Sequence, residues 1–150
     1  MASIEFQNYF FDKISYSSNE KFDSSRDEGL DVSVHFSSTI AIYSENALIN
    51  LNVELGDPDN IDCPFLVEVS LKGLFNYSYD PDLPEDKERA KELISNNGVA
   101  ILYPYIRNIV SDLTVKSNQF PAYILPVINI IQILKEEDSI EIIDFDEINE

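Results

Sequence analysis

Apolar and polar residues alternate over four separate stretches in the first half of the chain, the pattern of strands buried on one face. Ile4, Phe6, Phe10, Ile14 and Tyr16 share one face of a first long strand. Leu30, Val32, Val34, Phe36, Ile40 and Ile42 share a face of the second, with Asp31, Ser33, His35 and Ser37 opposite. Ala47, Ile49, Leu51, Val53 and Leu55 line the third, against Asn50, Asn52 and Glu54. Phe65, Val67, Val69, Leu71, Phe75 and Tyr77 line the fourth, against Glu68, Ser70, Lys72 and Asn76. One greasy and one wet face predict antiparallel pairing. The connections agree: Tyr43 to Ala47 leaves room only for a tight hairpin, and Gly56-Asp57-Pro58-Asp59-Asn60 is turn chemistry. Ser17 to Gly29, polar apart from Phe22, is long enough to carry the chain across the sheet before the second strand.

Beyond residue 84 the period changes. Pro84-Glu85-Asp86 predicts a helix start, a proline in the first turn followed by acids at the positive end of the dipole. Asn96-Asn97-Gly98 interrupts or ends that piece. Leu102, Ile106, Ile109, Val110 and Leu113 then form a helical stripe, with Pro104 near the start of this helix, where its missing N–H costs little. Ser117 to Pro126 holds two prolines and predicts no regular helix; Ile128, Ile131 and Leu134 predict a second helix running into Lys135-Glu136-Glu137. Four strands followed by helices read as an α+β fold, a four-stranded antiparallel sheet with a long and a shorter C-terminal helix on one face.

Composition narrows the function. The 150 residues suit one domain, and 44% apolar content marks a folding sequence rather than an acidic solvating tail. The net charge of −18 argues against nucleic acid and against an anionic membrane surface, and leaves basic surfaces as partners. The first ten residues lack a basic region and an apolar run, and no stretch approaches the length of a membrane span, so a soluble cytoplasmic protein is expected. Residues 136–150 hold 8 of the 28 acids and no base, which divides the chain into a domain, 1–135, and an acidic C-terminal tail. That tail alternates acids with Ile140, Ile142, Ile143, Phe145 and Ile148, a composition open to a disordered contact peptide or an extra strand.

Candidates for catalysis are few. The single histidine, His35, sits on a polar strand face, and Cys63 stands beside Pro64 with no second histidine to activate it. Four glycines form no phosphate loop, and a lone cysteine supports neither an intramolecular disulfide nor most zinc sites. The acidic runs Asp57 to Asp62 and Asp80 to Asp86 lack the register of a calcium loop and read as solvated turns. No enzyme, metal or cofactor is indicated. A small-ligand-binding α+β domain ranks last, because it would need convergent polar groups. The segment from Val99 to Leu134 is the most unusual: an irregular stretch this apolar either caps the core or lines a binding groove.

Its motifs carry a resemblance. Tyr103-Pro104-Tyr105-Ile106-Arg107, then Phe120-Pro121, then Leu125-Pro126-Val127-Ile128-Asn129 resemble the SecB family of bacterial export chaperones, with Ile128 inserted into that family's Pro-Val-Asn. Phe65 to Val69 with Gly73-Leu74-Phe75 resemble its fourth strand, and Phe6-Gln7 with Asp12 to Tyr16 its first. The resemblance implies a homotetramer, a dimer of dimers, that binds unfolded polypeptides without ATP or cofactor and delivers precursors to the SecA motor. It implies an apolar groove drawing on the sheet, the crossover and the inter-helix segment. Val32, Val34, Phe120, Tyr123, Leu125 and Ile131 are its candidate client-binding residues, each equally compatible with a core role. Asp12, Leu66 and Glu68 are the candidate partner-docking residues, but Lys13 and Ser17 stand where the family has acids, and the tail departs from the family's polar one. SecB-like proteins also serve toxin–antitoxin–chaperone systems by holding an antitoxin, which is the alternative client.

Overall fold

The structure is a computed structural model, and it describes residues 1–148, apart from the side chain of Ile148. Strands β1 (Ser3–Ser18), β2 (Val34–Ile42), β3 (Asn46–Leu55) and β4 (Phe65–Ser78) are followed by helices α1 (Asp86–Leu93), α2 (Val99–Lys116) and α3 (Ile130–Glu136). A further strand, β5 (Ile140–Asp144), and a short helix, α4 (Phe145–Ile148), complete the chain. The sheet runs β1-β4-β3-β2-β5, antiparallel except that β5 lies parallel to β2. The fold is α+β as expected, with five strands in place of four. The additional strand comes from the alternating tail, whose period-2 pattern finds the free edge of β2.

The inner face of β3 and β4 is buried as the alternation predicts, with Ile49, Leu51 and Leu71 wholly inaccessible. Helix α2 lies over β3 and β4 and buries Val99, Leu102, Tyr103, Ile106, Val110 and Thr114, one stripe of its surface. Asn96-Asn97-Gly98 interrupts the α-helix without ending it: residues Ile94–Gly98 form a π-helical turn that joins α1 directly to α2. Pro104, expected near a helix start, therefore lies well inside a continuous helical rod. At Gly98 the rod comes so close to β3 that an added Cβ would sit 2.4 Å from Ile49 Cδ1. In α3 the buried residues are Ile130 and Leu134, and Asn129 caps the helix by accepting from the N–H of Gln132.

The first strand departs from simple alternation, and the second is shorter than its pattern predicts. β1 carries bulges at Gln7 and Asp12, and each extra residue flips the faces that follow. The helix-facing set is therefore Ile4, Phe6, Tyr9, Phe11, Ile14 and Tyr16, opposite the buried residues of β4. Phe10 turns to the outer face, where Lys72 Nζ lies 5.9 Å from its ring. β2 begins only at Val34, and Leu30 is 54% exposed in the irregular crossover that precedes it. The carboxylates of the acidic runs close turns: Asp57 accepts from the N–H of Asp59, Asp80 from that of Asp82, and Asp86 from that of Asp80. Among the described residues no helix is long and apolar enough to cross a membrane.

The crossover (residues 19–33) is fastened to the loop between β3 and β4. Asn19 is 6% exposed and donates from Nδ2 to the carbonyl oxygens of Asn60 (3.2 Å) and Cys63 (2.9 Å), while the N–H of Asp31 donates to Asp62 O (3.0 Å). Gly56 closes the far end, its N–H donating to Ser33 O with φ at +91°, and an added Cβ would lie 2.3 Å from Phe65 O. Gly56→Ala is expected to cost more than about 2 kcal/mol. Gly29→Ala, also at positive φ but in open space, should cost only about 1 kcal/mol, and urea denaturation measures both.

The tail is held by charge. Lys91 Nζ, on a side chain only 7% exposed, reaches Asp144 (2.8 Å), Asp146 (3.4 Å) and Glu147 (3.6 Å), and Lys87 pairs with Asp146 at 2.8 Å. Burial alone would lower the ammonium of Lys91, but its bonds to Asp144 and Asp146 outweigh this and raise it. The bond from Lys87, opposed by burial and joined by Lys91, lowers the carboxyl of Asp146. A lowered carboxyl stabilises the folded state above its ordinary value, and a raised ammonium does so below its own. Docking of the tail should therefore be constant from about pH 4 to about pH 10, weakening as pH falls into the acid range and again in strong alkali. Amide exchange of Ile140–Asp144 against pH, normalised to β3, checks this.

Candidate functional site

The site is built by a segment with no regular structure, residues 117–129, laid along α2. Three side chains of α2 bind its backbone. Thr114 Oγ1 accepts from the N–H of Tyr123 (2.8 Å) and donates to Val110 O (2.9 Å). Arg107 Nε donates to Leu125 O (2.9 Å), and the Tyr103 hydroxyl donates to Pro126 O (2.7 Å). Burial raises the hydroxyls of Tyr103 and Tyr123, which keeps Tyr103 the protonated donor of its bond to Pro126. Tyr103 and Arg107 stand four residues apart on one face of α2, so one turn of helix grips two consecutive carbonyls. This is the structural meaning of the Tyr-Pro-Tyr-x-Arg spacing.

Side chains of the held segment then alternate. Tyr123 is half-buried, Ile124 is 68% exposed, Leu125 is wholly buried, and Val127 is 86% exposed. Tyr123 and Phe120 meet an aromatic cluster from three other elements. Phe65 of β4 lies 6.4 Å from Tyr123, 6.1 Å from Phe120 and 5.7 Å from Tyr16 of β1. Phe22 of the crossover meets Phe120 edge-on at 5.9 Å. The register of the sheet sets Val34, Leu55, Val67 and Tyr16 in one row at this same end. The result is an apolar surface between the crossover and the inter-helix segment, bridged by Phe22 against Phe120.

Of the expected groove residues, Val32, Val34, Phe120 and Tyr123 are partly buried against the core at this end. Leu125 lies in the core itself, because the backbone held by Arg107 and Tyr103 turns it inward. Ile131 lines a separate, polar depression with Asn97, Asn129 and Lys135. The alternation had placed no role on Phe22, Ile124 or Val127; the lone aromatic in a polar crossover was the available signal for Phe22. On the opposite, outer face of the sheet, Leu66 and Glu68 point away from the helices, and Glu68 is paired with Lys13. The bulge residue Asp12 lies 3.7 Å from Lys72. His35 is exposed on that face, 4.0 Å from Glu137, and the buried Cys63 thiol donates to Phe65 O.

The family model described as preprotein translocase subunit SecB matches residues 3–139. The chain belongs to the SecB family. An uncharacterised protein of Methanocaldococcus jannaschii is 27% identical to it, covering 92% of this chain and 90% of its own. Among solved structures, the SecB-like chaperone Rv1957 of Mycobacterium tuberculosis, in complex with a ChAD peptide from the HigA1 antitoxin, superposes with a TM-score of 0.64 at 18% identity. That match covers 83% of this chain and 90% of the other, and shows a common fold. The SecB motifs thus coincide with the groups that hold the inter-helix segment in place.

The division between buried and exposed positions on this segment is measurable. Leu125→Ala should destabilise the fold by about 2–5 kcal/mol, as cavities in closed cores do. Val127→Ala should change stability by less than about 0.5 kcal/mol in the same thermal or urea titration.

Proposed function

We propose that this SecB-family protein is an ATP-independent holdase acting in the cytoplasm, and that unfolded polypeptides bind the apolar surface between the crossover and the inter-helix segment. The observation that carries the reading is the exposure of Ile124 and Val127 on a segment whose backbone is already satisfied by α2. A bound apolar side chain gains about 1.5–3 kcal/mol before ordering costs, so a few anchors give affinity without sequence specificity. The net charge keeps such a surface soluble. The long free edge of β1, with Tyr9, Phe10 and Ile14 exposed along it, supports assembly of copies toward the family's tetramer.

A dedicated antitoxin is the second client reading. It is supported by the outer face, where Glu68 is neutralised by Lys13 instead of being offered with a second acid to the SecA motor. The antitoxin peptide bound by the structural neighbour supports it further. Capture from the native host distinguishes the two: many precursors together with SecA favour export service through Asp12, Leu66 and Glu68, and a single antitoxin favours the dedicated role.

The groove itself is tested by Ile124→Asp combined with Val127→Asp. The fold should be retained and suppression of aggregation of an unfolded test protein should fall at least tenfold, measured by light scattering. Unchanged suppression would remove these residues from the site, and inactivity of the wild-type chain toward every unfolded protein would overturn the holdase reading.

A further inference from the structure

The C-terminal segment makes the contacts of a bound peptide. Among the described residues β5 pairs with β2 alone, in parallel, from Ser38 opposite Ile140 to Ile42 opposite Asp144. Beyond it Phe145 stacks on Tyr43 at 5.2 Å with the rings 7° apart, and Asp144, Asp146 and Glu147 converge on Lys91. Tyr43 is itself fixed by the hairpin bond of its N–H to Asn46 O and by the Tyr77 hydroxyl donating to its carbonyl. Strand edge, aromatic shelf and ammonium pair therefore all come from residues 38–91, and the tail supplies none of them.

The attachment of the tail is equally independent. Helix α3 is closed ahead of β5, by N–H bonds of Asp138 to Lys135 O and of Ser139 to Leu134 O, with Asp138 in the left-handed region at φ 52°. Within β5, Glu141 and Ile142 are exposed, Ile140 is partly buried against the core, and no residue is fully buried. Lys91 is different: with the tail in place its ammonium is nearly buried and is met by three carboxylates, so an occupant that covers it must bring anionic groups.

We infer that the β2 edge, with Tyr43, Lys87 and Lys91 at its end, is a second peptide-binding site, and that Ile140–Glu147 is its resident intramolecular occupant. The site takes extended segments that alternate apolar residues and finish in acids around an aromatic. Backbone pairing along β2 supplies affinity, and the ammonium pair selects the acidic end. It lies at the end of β2 away from Val34, apart from the groove, and does not depend on the holdase reading. Because the tethered tail competes at an effective concentration in the millimolar range, an outside peptide enters only when the tail is weakened or outnumbered.

The probe is a synthetic peptide with the sequence of residues 139–148, titrated into the full chain by fluorescence anisotropy. Asp144→Asn with Asp146→Asn weakens the resident tail, and this variant should bind the probe at least tenfold more tightly than the wild type. Adding Lys91→Met should abolish that gain, as should a probe with its acids changed to lysine. In the wild-type chain, excess probe should raise amide exchange of residues 140–144 while residues 38–42 stay protected. Equal binding by tail variant and wild type, binding indifferent to Lys91, or displacement of the probe by an unfolded client in the groove would each overturn the inference. Should the Lys91 variant not fold, the wild-type exchange experiment decides alone: an unmoved tail under excess probe overturns it.

Discussion

The hydrogen bonds from Thr114, Arg107 and Tyr103 to the backbone of residues 123–126 are the constraint on which the functional surface depends. A segment with neither helix nor ladder has no internal partners for its polar groups, and against an apolar core it would pay for each one left bare. By answering Tyr123, Leu125 and Pro126 from α2, the fold holds an extended, proline-rich strip in place without folding it. Leu125 is then driven inward while Ile124 and Val127 stay outward, so apolar exposure follows from backbone accounting.

The rest of the molecule serves to put that strip beside a second one. The sheet needs cover on its inner face, and the continuous rod of α1, the π-helical turn and α2 provides it. Because β1 and β2 are not neighbours in the sheet, the chain must cross its end, and Asn19 and Gly56 fasten that crossing to the loop before β4. Phe22 thereby meets Phe120, and two irregular segments face each other across an aromatic floor of Phe65 and Tyr16. The opposite edge of the sheet has its own cover in β5, whose grip is ionic where the groove is apolar.

Much of this was legible in the alternation and the motifs. β3 and β4 came out residue for residue, because strands in the middle of a sheet are buried on one face along their whole length and obey a period of two. The edge strands did not. β1 tolerates bulges at Gln7 and Asp12 because one side has no partner to enforce register, and Phe10 changes face as a result. The helix start at residue 86 was readable from local dipole chemistry, whereas the π-helical turn at Asn96-Asn97-Gly98 was not, since only packing of the rod against Ile49 makes a glycine there useful.

The sequence by itself determined the fold class, the SecB resemblance and the apolar stretch after Val99, because periodicity and motif spacing are local properties of the chain. Only the tertiary structure decided which of those apolar residues are core and which are surface. Leu125 and Val127 differ little in hydrophobicity, and what separates them is the pair of carbonyls gripped by Arg107 and Tyr103 from another element. The tail shows the same division. Its alternating acids and isoleucines were visible, but their ordering required an unpaired strand edge and a buried lysine some fifty residues away in the chain.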